Sequence, residues 1–268
     1  MVGSVQRAKR IVETRIPALQ VGNNHTRSSA LHPISYIGPL YRWDSFEQNV
    51  NAEFQEHNWQ QHNSTITILP LGPPGPHNIA NEQLAIGDEN GLQGRFNQNV
   101  GHVMSAVFGS QGLDLEFGDF KASNSSYSRT PDVAIMNGGR DVQAVGELKA
   151  QWIDVHDPSA ATRNALTDID SEEDFRHQIG QLARYMRDLR VQYGFYSTYK
   201  SHVFLSQELV DGQWAILYSP VISDTIDPER RSALTVRQCY FFLGKAASRA
   251  GPSANLTPTN QWTRNRKA

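Results

Sequence analysis

Cysteine is all but missing: Cys239 is the only one in 268 residues. No internal disulfide can form, and a reducing, intracellular compartment, cytoplasm or nucleus, is expected. Long apolar runs are missing as well. No stretch approaches the ~18 consecutive apolar residues of a membrane helix, so no membrane partner is expected. The opening segment, MVGSVQRAKRIVETRIPALQ, lacks the apolar core of a secretory signal. It is basic and poor in acids, a faint likeness to a transit peptide, but no amphipathic face accompanies it. Neither charge is in surplus: 25 Lys and Arg face 27 Asp and Glu, a formal net charge of −2. That gives no global pull toward nucleic acid or membrane, and it leaves room for a local basic groove.

Several chemistries lack their signatures. The nine histidines show no zinc pattern, since His57 and His62 stand in a polar segment with no Cys pair to join them. The GPPGP stretch lacks the Lys-Ser/Thr of a phosphate-binding loop. No nucleophile elbow is present. Hydrophobic residues make up only 38% of the chain, which at 268 residues still permits a sizeable core.

What is present divides the chain in three. Residues 1–80 read as a partly irregular extension, with one β-like run, TITIL, and a Pro/Gly linker, PLGPPGPHN. Residues 81–250 read as the main domain and residues 251–268 as a basic C-terminal tail. Within the domain, Leu92, Phe96, Val100, Val103 and Val107 recur at helical spacing. LDLEF reads as a strand, and PDVAIM and VQAVGELK as a hairpin around Asn137-Gly138-Gly139-Arg140. A polar stretch from Trp152 to Ile169 is a long loop, and such loops often carry function. The acids after Ser171 signal the start of a helix running through HQIGQLARYMRDLRVQY. GFYSTY, SHVFLS and QWAILYSPVI follow as strands, and Asp227-Pro228 opens a last helix. The order is helix, three strands, helix, two or three strands, helix: an α/β domain with a central mixed sheet flanked by helices.

The hairpin concentrates the chemistry. Glu147 and Lys149 are two apart on one strand and share a face. Asp132 opens the partner strand, so the hairpin returns all three to one end of the sheet. Converging carboxylates raise each other's pKa unless a positive charge sits between them. Lys149 can supply that charge as a salt bridge, and a divalent cation supplies it more effectively. Mg²⁺ (or Mn²⁺) suits one or two carboxylates completed by water and phosphate oxygens.

Pro131-Asp132 followed by Glu147-Leu148-Lys149 resembles the PD-(D/E)XK nuclease superfamily. Gln181 and Tyr185 on the next helix resemble the Gln-x-x-x-Tyr motif of its RecB-type exonuclease branch. The wording of VGELKAQW and of QIGQLARYMRDLRVQYGFYSTY is similar to uncharacterised fungal members of that superfamily. The resemblance spans about residues 88–247 and implies a restriction-endonuclease-like core. It implies metal-dependent hydrolysis of phosphodiester bonds, with nucleic acid as partner and DNA favoured over RNA. Asp132 and Glu147 would ligate the metal, with the Leu148 carbonyl as a further ligand, and Lys149 would position the attacking water. Gln181 and Tyr185 would orient the substrate, and Gln178, one turn earlier, competes with Gln181 for the inward position. Glu89 is the candidate acid from the first core helix, where Asp88 competes as a plain N-cap. Arg184 is a candidate phosphate contact. Trp152 is a candidate for stacking on a base, or else an anchor for its loop. Two other readings stand beside the nuclease: a binding module or effector without catalysis, and a structural salt-bridge cluster.

Overall fold

The computed structural model describes residues 4–27, 31–60, 65–68, 82–159, 169–223 and 234–265. The Pro/Gly linker and the helix start expected at Asp227 lie outside the described residues. The central sheet is built from β1 (Leu40–Arg42), β2 (Glu116–Gly118), β3 (Val133–Met136), β4 (Val142–Leu148), β5 (Tyr193–Ser197), β6 (Ser201–Val210), β7 (Gln213–Tyr218) and the short β8 (Ile222–Ser223). Its order is β1-β7-β6-β5-β4-β3-β2, with β8 paired to β6. β1 with β7 and β4 with β5 are parallel, and the other pairs are antiparallel, so the sheet is mixed.

Helices cover both faces, which is why the central strands are apolar on both sides rather than alternating. One face carries α1 (Phe46–Glu56), α2 (Glu89–Phe96), α3 (Val103–Ser110) and α6 (Val236–Arg249). There Phe46, Phe96, Phe108 and Tyr240 pack with Val133, Phe195 and Phe204 of the sheet. The other face carries α4 (Ile169–Gln178) and α5 (Gly180–Asp188), whose Phe175, Leu182 and Met186 pack with Val145, Val203 and Ile216. Gly146 lets the two central strands fit: a Cβ there would stand 2.1 Å from the Phe195 ring. No described helix is long and apolar enough to cross a membrane.

The structure departs from the sequence reading in four places. Residues set aside as an extension belong to the core: β1 lies at the edge of the central sheet, and Phe46, Val50 and Phe54 of α1 are buried in it. Ile34–Tyr36 also pairs with Thr263–Asn265 of the segment read as a basic tail. The helical stripe from Leu92 to Val107 is interrupted by a π-helical turn, Asn97–His102. The single helix expected after Ser171 is two, divided at Ile179, where Gly180 lies directly against the backbone of Ile34. α6 starts at Val236 and is N-capped by Thr235, whose side chain and that of Gln238 form a reciprocal capping box. In the hairpin turn, Arg140 rather than either glycine takes the left-handed conformation, at φ 65°.

Candidate active site

Asp132 stands one residue before β3, and Glu147 lies near the end of β4, with Lys149 just beyond it. The antiparallel register pairs Val133 with Gly146, which brings the start of β3 beside the end of β4. The Asp132 Oδ2 atom accepts from the Leu148 amide at 2.8 Å, extending the ladder by a side-chain bond. The Lys149 amide donates to the Ser197 carbonyl at 2.9 Å, which holds the exit of β4 against β5. α2 docks on the same end: Gln93 Nε2 donates to the Asp132 carbonyl at 2.6 Å.

The charged atoms converge. Lys149 Nζ lies 2.9 Å from Glu147 Oε1 and 3.9 Å from Glu89 Oε2. Asp88 caps α2 by accepting from the Gly91 amide at 2.7 Å, so the two neighbouring acids divide the work: one caps and the other faces Lys149. Glu147 is 2% exposed, and its Oε2 is buried without a hydrogen-bond partner among the described residues. A buried carboxylate oxygen with no partner is costly.

Three carboxyls, Glu89, Asp132 and Glu147, surround one ammonium, an excess of two negative charges when all are ionised. Burial, then Asp132, pushes the Glu147 carboxyl up to about 8. Burial likewise raises Asp132, against the opposing pull of Lys149 and the Leu148 amide. For Lys149 burial acts downward, but Glu147 and then Asp132 outweigh it and raise the ammonium pKa. The acid and the amine shift the same way for one reason: the cluster holds too much negative charge.

α5 closes one side. Gln181 Nε2 donates to the Tyr185 hydroxyl, which donates to the Thr130 carbonyl at 3.4 Å. Burial and then Glu147 push Tyr185 up to about 12, which places the phenol within the field of the cluster. The two candidate glutamines separate. Gln181 joins Tyr185, whereas Gln178 Nε2 braces the loop that precedes α4, through the carbonyls of Val155 at 3.1 Å and Asp157 at 3.2 Å.

Two other candidates are engaged elsewhere. Arg184 is 7% exposed, and its Nε donates to Thr263 Oγ1 at 2.9 Å, clamping the C-terminal strand to α5. Trp152 Nε1 donates to the Thr26 carbonyl at 2.8 Å, and its ring meets His25 at 5.6 Å, so it anchors its loop to the N-terminal segment. The sequence reading missed Tyr196, which pairs with Glu147 in the sheet register and feels its charge. It also missed Arg129 and His32, which border the cluster electrostatically. Only the position of Arg129, three residues before Asp132, could have flagged it.

The donor set fits a hard cation. It offers carboxylate oxygens, one of them buried and unpartnered, and a charge excess that a divalent ion would cancel. Among the described residues, no three His, Cys, Asp or Glu side chains group closely enough to hold one ion. The fit is therefore to two carboxylates, Asp132 and Glu147, with water completing the shell. Glu89 meets the cluster through Lys149, its Oε2 lying 3.9 Å from Nζ.

The pH dependence of stability follows with its sign. Below about pH 4.5 Glu147 is protonated in both folded and unfolded chains. As pH rises toward 8 the unfolded chain ionises and the folded one resists. Stability from this group is thus full below pH 4.5 and lost up to about pH 8. Glu147→Gln keeps an acceptor for Lys149 without that titration. In EDTA its Tm should exceed wild type by several degrees at pH 8, and the difference should vanish near pH 4.5. A difference independent of pH would refute the assignment. Mg²⁺ at pH 8 should raise the Tm of wild type and not of the variant.

No family model, curated protein or solved structure matches the chain.

Proposed function

We propose that this chain is a metal-dependent nuclease with a restriction-endonuclease-like core, hydrolysing phosphodiester bonds of nucleic acid, with DNA favoured over RNA. The observation that carries the reading is the buried, unpartnered Glu147 Oε2 beside Asp132 and Lys149, in a cluster with excess negative charge at one end of the sheet. The motif resemblance supports it independently, through Pro131-Asp132, Glu147-x-Lys149 and Gln181-x-x-x-Tyr185.

Asp132 and Glu147 would hold Mg²⁺ or Mn²⁺. Such an ion supplies Lewis-acid polarisation of a phosphoryl oxygen and a lowered pKa for water. The ion would offset the negative charge of Asp132 and Glu147, and the Lys149 ammonium beside them would orient the attacking water or stabilise the charge that develops on the phosphoryl oxygens. Tyr185 and Gln181 fix the wall of α5 against Thr130, so the entrance to β3 keeps its position through turnover.

The experiment is an assay of the full chain on circular plasmid, linear duplex, single-stranded DNA and RNA, with Mg²⁺, Mn²⁺ or EDTA. Cutting with either metal and none in EDTA is expected, DNA being cut faster than RNA. A folded protein that cuts none of these with either metal would overturn the catalytic reading in favour of a binding module on the same fold.

A further inference from the structure

The loop leading into Pro131 is pinned to α5 at two points. Tyr127 donates its hydroxyl to Asp188 Oδ2 at 2.8 Å and sets its ring edge-on to Tyr185 at 6.1 Å. Thr130 offers its carbonyl to the Tyr185 hydroxyl at 3.4 Å. Arg129 lies between these two anchors. It is exposed and forms no hydrogen bond or ion pair among the described residues. Asp188, which like Arg129 acts on the Tyr127 hydroxyl, is engaged by Tyr127 and Arg187.

A second segment borders the same site. The His32 carbonyl accepts from His177 Nε2 at 3.0 Å, and the chain just beyond it lies against Gly180 at the start of α5. The His32 ring is exposed and has no hydrogen-bond partner among the described residues. Its neighbours in charge are all positive. Burial, then Lys149, Arg129 and Arg184, holds the imidazole below its ordinary pKa. Burial, then Arg129, lowers Arg184 as well. Arg184 is spent on Thr263 and Lys149 on Glu147. Among the described residues, Arg129 and His32 are basic groups at this border with no side-chain hydrogen bond or ion pair. The Arg129 guanidinium is a positive charge with no counter-ion, and the His32 imidazole is a ring with no hydrogen-bond partner among the described residues, so a bound anion satisfies both.

We propose that Arg129, assisted by His32, grips a backbone phosphate of the nucleic acid and so lays the strand across the Asp132–Glu147 pair. This rests on the nucleic-acid reading above. A guanidinium suits the task because its planar fork meets two phosphate oxygens at once, which an ammonium cannot do. Arg129 takes the role that the sequence reading placed on Arg184.

The test separates binding from cleavage. A fluorescein-labelled oligodeoxynucleotide, single-stranded and duplex, is titrated in EDTA at several salt concentrations with wild type, Arg129→Ala, Arg129→Lys, His32→Ala and Lys149→Ala. Arg129→Ala should weaken binding about tenfold at low salt and reduce the slope of log affinity against log salt by about one. Arg129→Lys should restore the slope and only part of the affinity, and His32→Ala should weaken binding less. Unchanged melting temperatures for the Arg129 and His32 variants would show that these two exposed side chains do not act through the fold. A wild type that does not bind the oligonucleotide, or Arg129→Ala binding with wild-type affinity and slope, overturns the proposal. If the chain never cleaves but binding still depends on Arg129, the phosphate grip stands and the catalytic reading falls. If the chain cleaves and Arg129→Ala changes neither affinity nor KM, the reverse holds.

Discussion

Lys149→Ala is expected to lower metal-dependent hydrolysis about a thousandfold while leaving the fold intact, as judged by circular dichroism. The expectation comes from geometry. Nζ lies 2.9 Å from Glu147 and 3.9 Å from Glu89, with its side chain 12% exposed, so it stands inside the cluster. Removing it also raises the excess negative charge. In EDTA at pH 8 the variant should therefore be less stable than wild type, and Mg²⁺ should stabilise the variant more than it stabilises wild type. Hydrolysis separates a catalytic lysine from a purely structural one, since both lose stability when Lys149 is removed. A structural salt bridge predicts lost stability with hydrolysis retained, and that result would remove Lys149 from the chemistry.

Gly180→Ala should be the most damaging single substitution for the fold. A Cβ there would stand 2.1 Å from the Ile34 carbonyl oxygen, 2.7 Å from its carbon and 2.8 Å from Ser35 Cα. All three are backbone atoms that no rotamer change can move aside. The Ile34–Tyr36 strand cannot retreat easily, because it pairs with Thr263–Asn265, and the Tyr36 hydroxyl accepts from the Ile216 amide at 3.1 Å and donates to the Pro39 carbonyl at 2.7 Å. Either α5 or this strand must shift, at a cost of about 3 kcal/mol or more, and Tm should fall by roughly 10 °C. Because α5 carries Gln181 and Tyr185, hydrolysis should drop as well. Gly109→Ala is the control: it lies in α3, a Cβ there meets nothing within 4 Å, and helix propensity alone should leave stability equal or slightly higher. Equal melting temperatures for the two variants would show that the close approach at Gly180 is not a constraint.

Particular residues show how far the sequence could be read. Strand alternation put Glu147 and Lys149 on one face, and the hairpin returned Asp132 to them, because both are local properties of extended chain and tight turns. The stripe on α2 and the cap at Asp88 were equally local, and together they turned Glu89 toward Lys149. Arg184 and Trp152 looked available only because their partners lie far along the chain, at Thr263 and Thr26. The break at Ile179 was hidden for the same reason, since nothing near Gly180 in sequence announces the Ile34 carbonyl. β1 is too short and too polar to be recognised before β7 is there to pair with it.

Backbone periodicity over a few residues is enough to dictate the central hairpin, the helices whose apolar stripes cover the sheet, and the convergence of Asp132, Glu147 and Lys149. Long-range packing sets the rest: Glu147 is buried with an unpartnered oxygen, residues 34–56 complete the core, and Arg129 has no partner among the described residues where Arg184 has one. Burial and pairing depend on which distant segments occupy the space around a side chain, and that is settled only when the whole chain has packed.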